Sequence, residues 1–448
     1  MDKKEIRRNQ ILNAPILPLL IKTAIPTIIG MLVTMIYNLT DTYFIGKLSN
    51  VSMTASIGIV FSFVSFIQAI GFWFGYGSGN RMSISLGNKD EDKARILSST
   101  AILLSILTGF IIMVICLPFT ETLARLLGAS ASESLLRYTK EYLFPILLSV
   151  PFSIYGVTLY NQLRLCGNVR DGMIGLLIGM IANMILDPLF IFTFKMGFIG
   201  AGWATLIGQI LGSIALTILS FYHGNIPASL KHFKLKKEYI YHILAGGSPN
   251  FSRQSITSFA VILLNIIASK YGEDIIAALS ISSKIASLVY MIMIGLGQGF
   301  QPICAMNYGA KKYDRVKKAL NYTITIGTVF LIIAAVITGI YAKYFLGLLS
   351  NNEIVINNGI IMLRLQCIVF PLMAFYSVSS MYLQNTGNYM KALLVSISRQ
   401  GIFFIPLIII LPFFIGHTAI YVVQSVSDIL SFIMALLIMK KHPVQDYA

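Results

Sequence analysis

Charge is the scarce component of this 448-residue chain: only 12% of residues are Asp, Glu, Lys or Arg, against roughly 25% in soluble domains. With 56% hydrophobic residues, that deficit excludes an ordinary soluble globule. The four cysteines, Cys116, Cys166, Cys304 and Cys367, lie in or beside apolar segments without CxxC or metal-ligand spacing, so packing is their expected role. Five histidines are scattered near loops or ends and form no metal signature. No GxxxxGK[ST] phosphate loop occurs, which argues against direct ATP-driven transport, and no ATPase subunit is expected to be required. No nucleophile–base pattern points to an enzyme, and no cofactor is implied.

What the chain has instead is long apolar runs of 18 to 28 residues, enough to cross a hydrocarbon core of about 30 Å. They are too long and continuous for the alternating strands of a barrel. Twelve spans are expected: 15–45, 52–79, 95–118, 137–163, 172–194, 198–222, 240–269, 275–303, 318–342, 358–384, 391–414 and 416–439. The first run is too long for a cleavable signal peptide and lacks a small-residue processing site. Of the 34 basic residues, 22 fall in segments on one side and seven on the other. That excess makes the first side cytoplasmic, with both termini inside. The net charge of +16 is thereby largely a matter of membrane orientation, and no nucleic-acid partner is needed.

The chain repeats itself. Gly75-x-Gly77 with Gly87-Asn-Lys89 returns as Gly297-x-Gly299 with Gly309-Ala-Lys311, and Pro151 with Gly167-Asn168 returns as Pro371 with Gly387-Asn388. Equivalent positions are six spans apart. The expected fold is therefore an all-α polytopic membrane protein, twelve helices in two pseudo-symmetric six-helix lobes around a central cleft. The lobes are expected at 1–222 and 240–448, joined by a basic cytoplasmic connector at 223–239.

Symmetry breaks at the acids. Tyr37-Asn-Leu-Thr-Asp41 closes the first span, and Asn183-Met-Ile-Leu-Asp187-Pro188 lies in the fifth; the second half reproduces neither carboxylate. An intramembrane acid is a functional-site candidate by default. Tyr37 and Asp41, like Asn183 and Asp187, are four residues apart and share a helix face. Pro188 opens the local carbonyl ladder. With Asn161 and Thr205, these residues supply oxygens suited to Na⁺, or a carboxylate pair able to share a proton. The alternative is structural: Asn183 and Asp187 satisfy a helix break while Asp41 meets water. Asp428 is expected to pair with Arg399 or Arg364. Phe61, Phe66, Tyr290, Met291 and Met293 are candidates for an adaptable cleft lining that attracts organic cations. Lys284, if it faces such a cleft, would repel them.

The duplicated plan, Asp41-Thr-Tyr-Phe-Ile-Gly46, Gly87-Asn-Lys89, Asn161-Gln-Leu-Arg164 through Asn168, and Asn183-x-x-x-Asp187-Pro188 resemble the multidrug and toxic compound extrusion (MATE) family. The resemblance spans nearly the whole chain. It implies that Tyr37, Asp41, Asn161, Asn183, Asp187 and Thr205 form an amino-terminal ion network, with Na⁺ held at Asp41, Asn183 and Asp187. The stretches 249–265 and 359–384 hold no Asp or Glu, which favours the DinF-like, DNA-damage-inducible branch over those coupling through the second lobe. A bacterial cytoplasmic-membrane antiporter is the implied activity, acting as a monomer among lipids and exporting amphipathic organic cations, drugs or dyes against H⁺ or Na⁺. A lipid-linked precursor flippase is the alternative, with Lys284, Arg364 or Arg399 on the headgroup.

Overall fold

The computed structural model describes residues 3–46, 51–130 and 132–441, and within them not the side chains of residues 38, 39, 41, 42, 45, 46, 51 and 269. Among the described residues the regular structure is entirely helical, and twelve segments are long and apolar enough to span a membrane. In order these are α2 (Ile16–Gly46), α3 (Val51–Gly87), α4 (Glu91–Cys116), α6 (Glu133–Leu165), α7 (Val169–Pro188), α8 (Phe198–Phe221), α9 (Lys237–Ala268), α10 (Glu273–Gly309), α11 (Tyr313–Ile340), α13 (Glu353–Asn385), α14 (Tyr389–Ile397) continuing into α15 (Ile405–Ile415), and α16 (Thr418–Lys440). Short helices α1 (Lys3–Asn13), α5 (Thr120–Leu127) and α12 (Ala342–Gly347) complete the set.

Local chemistry fixes many ends. Asp90 accepts from Lys93 N at 3.0 Å to start α4, and Ser132 accepts from Leu135 N at 3.2 Å to start α6. Helices α3 and α10 outrun their expected ends at 79 and 303, reaching Gly87 and Gly309. Packing sustains the extensions past the apolar run: Met82 and Leu86 are buried on α3, and Met306 and Asn307 on α10. Arg8 of α1 donates to the carbonyls of Leu86 (2.8 Å) and Gly87 (3.0 Å), satisfying the carbonyl end of α3.

The duplication is visible in the backbone. Lys89 and Lys311 take φ of 61° and 58°, Gly167 and Gly387 take 87° and 84°, and Gly197 and Gly416 take 61° and 58°. The first two pairs follow the ends of α3 and α10 and of α6 and α13, and the third leads into α8 and α16, so each repeat turns at positive φ in the same places.

Contacts divide the chain into two compact units, one of residues 1–13 and 29–251, the other of residues 14–28 and 252–448. The expected boundaries at 222 and 240 differ from this division in two segments: 14–28 belongs with the second repeat, and 240–251 with the first. Both exchanges end just beyond a proline, Pro26 in α2 and Pro249 in α9. The reason is close backbone approach at the repeated glycines. In the second unit, Cβ atoms added at Gly295 and Gly299 would lie 2.7 Å from Ile28 Cα and 2.6 Å from Ala24 Cα. Thr23 Oγ1 and Thr27 Oγ1 donate to Gly299 O (2.9 Å) and Gly295 O (2.6 Å) across this seam. In the first unit, a Cβ at Gly77 would meet Ile243 O at 1.8 Å, and Trp73 Nε1 donates to Leu244 O at 2.7 Å. The glycines that mark the repeat thus seat the first half of α2 and of α9.

Replacing Gly77 with Ala forces backbone apart and is expected to cost about 1–3 kcal/mol. Gly58→Ala, where nothing lies within 4 Å, serves as the control. Thermal unfolding of both in detergent checks this: only Gly77→Ala should lower Tm.

Candidate functional site

Helix α7 starts at Asn168, whose side chain accepts from Asp171 N at 3.3 Å, and runs to Pro188. It packs against α8 with almost nothing between the backbones: a Cβ at Gly208 would sit 2.9 Å from Gly179 O and 3.0 Å from Asn183 Cβ. This small-residue seam, built from the same stretch as Gly200 and Gly202, carries Thr205 to Asn183. Asn183, Asp187 and Thr205 are all buried, and Asp187 is 0% exposed. With the Asn183 amide placed so that both ends are satisfied, its Nδ2 donates to Asp187 Oδ2 at 3.1 Å. Its Oδ1 then accepts from Thr205 N (3.0 Å) and Thr205 Oγ1 (3.3 Å). In the opposite placement Nδ2 donates to Thr205 Oγ1 at 3.3 Å, and the carbonyl end faces Asp187. Beyond Pro188 the chain adopts a π-helical turn over Leu189–Thr193, the usual accommodation of a proline-disturbed ladder and frequent at functional sites.

The Asp41 side chain lies outside the described residues, but its helix does not. Two contacts set the register of α2 beside α7: Thr34 Oγ1 to Met180 Sδ at 3.9 Å, and Phe44 edge-on to Phe192 at 6.4 Å between ring centroids. Asp41 and Asp187 each fall seven residues beyond the first contact, so their backbone positions are level along the two helices. Tyr37, half-buried, is one turn earlier on α2.

Asn161 does not join this group. It is buried near the C-terminal end of α6, where Nδ2 donates to Val157 O at 2.8 Å and Oδ1 accepts from Arg164 Nη2 at 3.0 Å. Counted along α6 and α7, it is displaced from Asn183 by about 15 Å of helix rise. Arg164, expected in a cytoplasmic loop, is instead fully buried, its Cζ 5.0 Å from the Tyr76 ring centroid and 6.0 Å from that of Tyr160. Helix α6 simply continues past the expected end at 163, carrying the cation between two aromatic faces. Asp171, in the same expected loop, is buried too and accepts from His223 Nδ1 (2.9 Å) and Asn225 Nδ2 (3.0 Å).

The cleft candidates separate. Phe61 and Phe66 are exposed on α3, and Phe66 meets Phe251 edge-on at 6.2 Å. Met291 is half-buried. Met293 is a core residue rather than a lining one: Gly327 opposite it leaves space that a Cβ would close to 2.6 Å from Sδ. Tyr290 lies under a cation, with Arg399 Cζ 5.1 Å from its ring centroid. Arg399 donates from Nε to Asp428 Oδ1 at 2.6 Å, the pairing expected for that acid. Lys284 and Arg364 are exposed, and Arg364 Nε donates to Gly339 O at 3.2 Å. The four cysteines are free thiols, three of them buried.

A twelve-span bundle built as two repeats, with a buried carboxylate held by a helix-to-helix amide, defines a polytopic membrane transporter. The family model for MatE matches residues 26–189 and 249–410, and the chain belongs to that family. Multidrug export protein MepA of Staphylococcus aureus (strain NCTC 8325 / PS 47) is 28% identical over 428 residues, covering 95% of this chain and 94% of its own. MepA of Staphylococcus saprophyticus is 28% identical over 416 residues, covering 93% and 91%. A crystal structure of MATE in complex with MaL6 shares the fold with a TM-score of 0.90 at 22% identity, covering 96% of this chain and 97% of its own. A MOP superfamily transporter from Pyrococcus furiosus Vc1 (DSM3638) gives 0.89 at 22% identity, with coverage of 96% and 97%.

Asn161→Ala deprives a buried guanidinium of one acceptor and is expected to lower stability by about 1–3 kcal/mol. Transport flux per folded molecule should stay at the wild-type level. Thermal unfolding together with vesicle flux, normalised to folded protein, checks both parts.

Proposed function

We propose that this transporter is a secondary active multidrug antiporter of the DinF-like kind, exporting amphipathic organic cations, drugs or dyes in exchange for H⁺ or Na⁺. The observation that carries the coupling is the fully buried Asp187, bonded through Asn183 to Thr205 of the next helix. The multidrug export name of its 28%-identical relatives supports the cargo class. Carboxylate, amide and hydroxyl oxygens together make a donor set for Na⁺, and the carboxylate by itself holds a proton.

The amide supplies the switch. An ionised Asp187 only accepts, so it takes the Nδ2 end of Asn183. A protonated Asp187 donates, and needs the carbonyl end instead. Ion exchange therefore turns the amide and changes what α7 offers Thr205 on α8. Asp41, level with Asp187 on α2, is the second carboxylate of the switch, and Tyr37 lies one turn below it. The π-helical turn after Pro188 gives α7 a place to yield. Coupling by this route needs no ATPase, no cofactor and no catalytic residue. One chain in the bacterial cytoplasmic membrane, both termini inside, is the working unit. Lipid-linked precursor flipping is the second reading, favoured by the basic side chains that enter the second unit.

Flux of a cationic dye in sealed vesicles, under imposed pH and sodium gradients, tests the reading. Asp187→Asn and Asp41→Asn should each reduce gradient-driven flux by about tenfold or more, with folding retained. Gradient-driven flux at the wild-type level in both variants would reject the assignment.

A further inference from the structure

The second unit carries a charge arrangement that the coupling site leaves unexplained. Five basic residues enter the interiors of its spans, Lys22, Arg253, Lys284, Arg364 and Arg399, and Asp428 is the one acid that does so. Arg399 lies ten residues into its span and Asp428 ten residues into α16, about 15 Å of rise from the helix ends and so near the middle of a hydrocarbon layer about 30 Å thick. An ion pair placed there solely for stability is a poor bargain, since apolar residues of equal volume serve as well or better.

The pair is also held open. Arg399 uses Nε for Asp428 Oδ1, and no described residue accepts from Nη1 or Nη2. Its side chain is 19% exposed, whereas that of Asp428 is fully buried. Asp428 is fixed from its own helix by Gln424 Nε2 (3.1 Å to Oδ1), and Gln424 is fixed in turn by Gln400 Nε2 (3.2 Å). Ser427 donates to Arg399 O across the same seam. The Tyr290 ring lies beneath the guanidinium at 5.1 Å, its hydroxyl 3.4 Å from Ser377 Oγ. Asp428 Oδ2 is buried without a hydrogen-bond partner. Arg399 itself sits in a π-helical turn, Ser398–Phe404, in the helix that corresponds to α7 in the repeat, so both lobes place an ionisable residue at such a turn.

We propose that Arg399 is an oxyanion anchor: its free Nη edge binds the carboxylate or phosphate of an amphipathic molecule, with Asp428 as the residue that positions it. A guanidinium whose Nε is spent on a buried carboxylate presents two parallel N–H donors at a fixed angle, the geometry that matches a planar oxyanion. Tyr290 stiffens the cation from below, and the surplus of intramembrane positive charge in this unit favours the incoming anion. The cargo side of this inference rests on the export reading; the binding step does not depend on any ion gradient.

Rhodamine B carries a carboxylate that its ethyl ester lacks, so the two dyes isolate the anion. Fluorescence polarisation with purified full-length protein in phosphatidylcholine nanodiscs gives their affinities, and native mass spectrometry with added phosphatidylglycerol reads headgroup binding. Arg399→Gln alone strands a buried carboxylate, so the neutral double variant Arg399→Gln/Asp428→Asn is the primary test, beside Arg399→Lys. A loss of about tenfold in rhodamine B affinity, with the ester unchanged, assigns the anion to cargo. A comparable loss confined to phosphatidylglycerol assigns it to a lipid headgroup. Wild-type binding of both rhodamine B and phosphatidylglycerol by the double variant overturns the proposal, whatever the flux measurements on Asp41 and Asp187 return.

Discussion

A charge or backbone dipole carried into hydrocarbon must find its partner inside the protein, and most of this structure follows from that constraint. It selects helices, whose backbone bonds close within the segment. It also explains why every fully buried ionisable side chain described above comes with dedicated neighbours. Arg164 has Asn161 and two aromatic faces, Asp187 has Asn183, and Asp428 has Arg399 and Gln424. Asn161, Asn183 and Gln424 stand one turn away on the same helix as the charge they serve. Tyr76, Thr205 and Arg399 are brought into range by helix packing, which at α7 and α8 depends on small residues.

The glycines show how. Gly179, Gly208 and Gly212 let α7 and α8 approach until Asn183 reaches Thr205. Gly77 and Gly299, equivalent in the two repeats, admit the first halves of α9 and α2 at backbone distance. A sequence motif that looks like a marker of duplication is therefore a packing device used twice. The exchanged half-helices end just past Pro26 and Pro249, where a missing backbone donor allows the helix to change course.

The two units carry opposite intramembrane character. The first holds Asp41 and Asp187; the second holds five basic residues and one acid already committed to Arg399. That division separates the proposed ion-coupling carboxylates from the proposed oxyanion anchor. The duplication supplied two equivalent frameworks, and substitution within them produced unlike chemistry.

Hydrophobic run length sufficed to establish the twelve spans, because a spanning helix must be apolar over its whole crossing and needs nothing from its neighbours to be recognised. Tyr37, Asp41, Asn183 and Asp187 stood out as candidates for the same reason: a polar group at helical spacing inside an apolar run is conspicuous. The Arg399–Asp428 pairing was legible among two alternatives, but depth and the other partnerships were not. Asn161 has the right chemistry but the wrong level on its helix, Met293 packs in the core rather than lining a cleft, and Arg164 looks like a loop cation until α6 is seen to continue. The exchange of residues 14–28 and 240–251 was equally hidden, since it depends on which backbones touch. Such facts belong to tertiary structure because they are distances between helices, and a one-dimensional pattern specifies the face of a helix without specifying what that face meets.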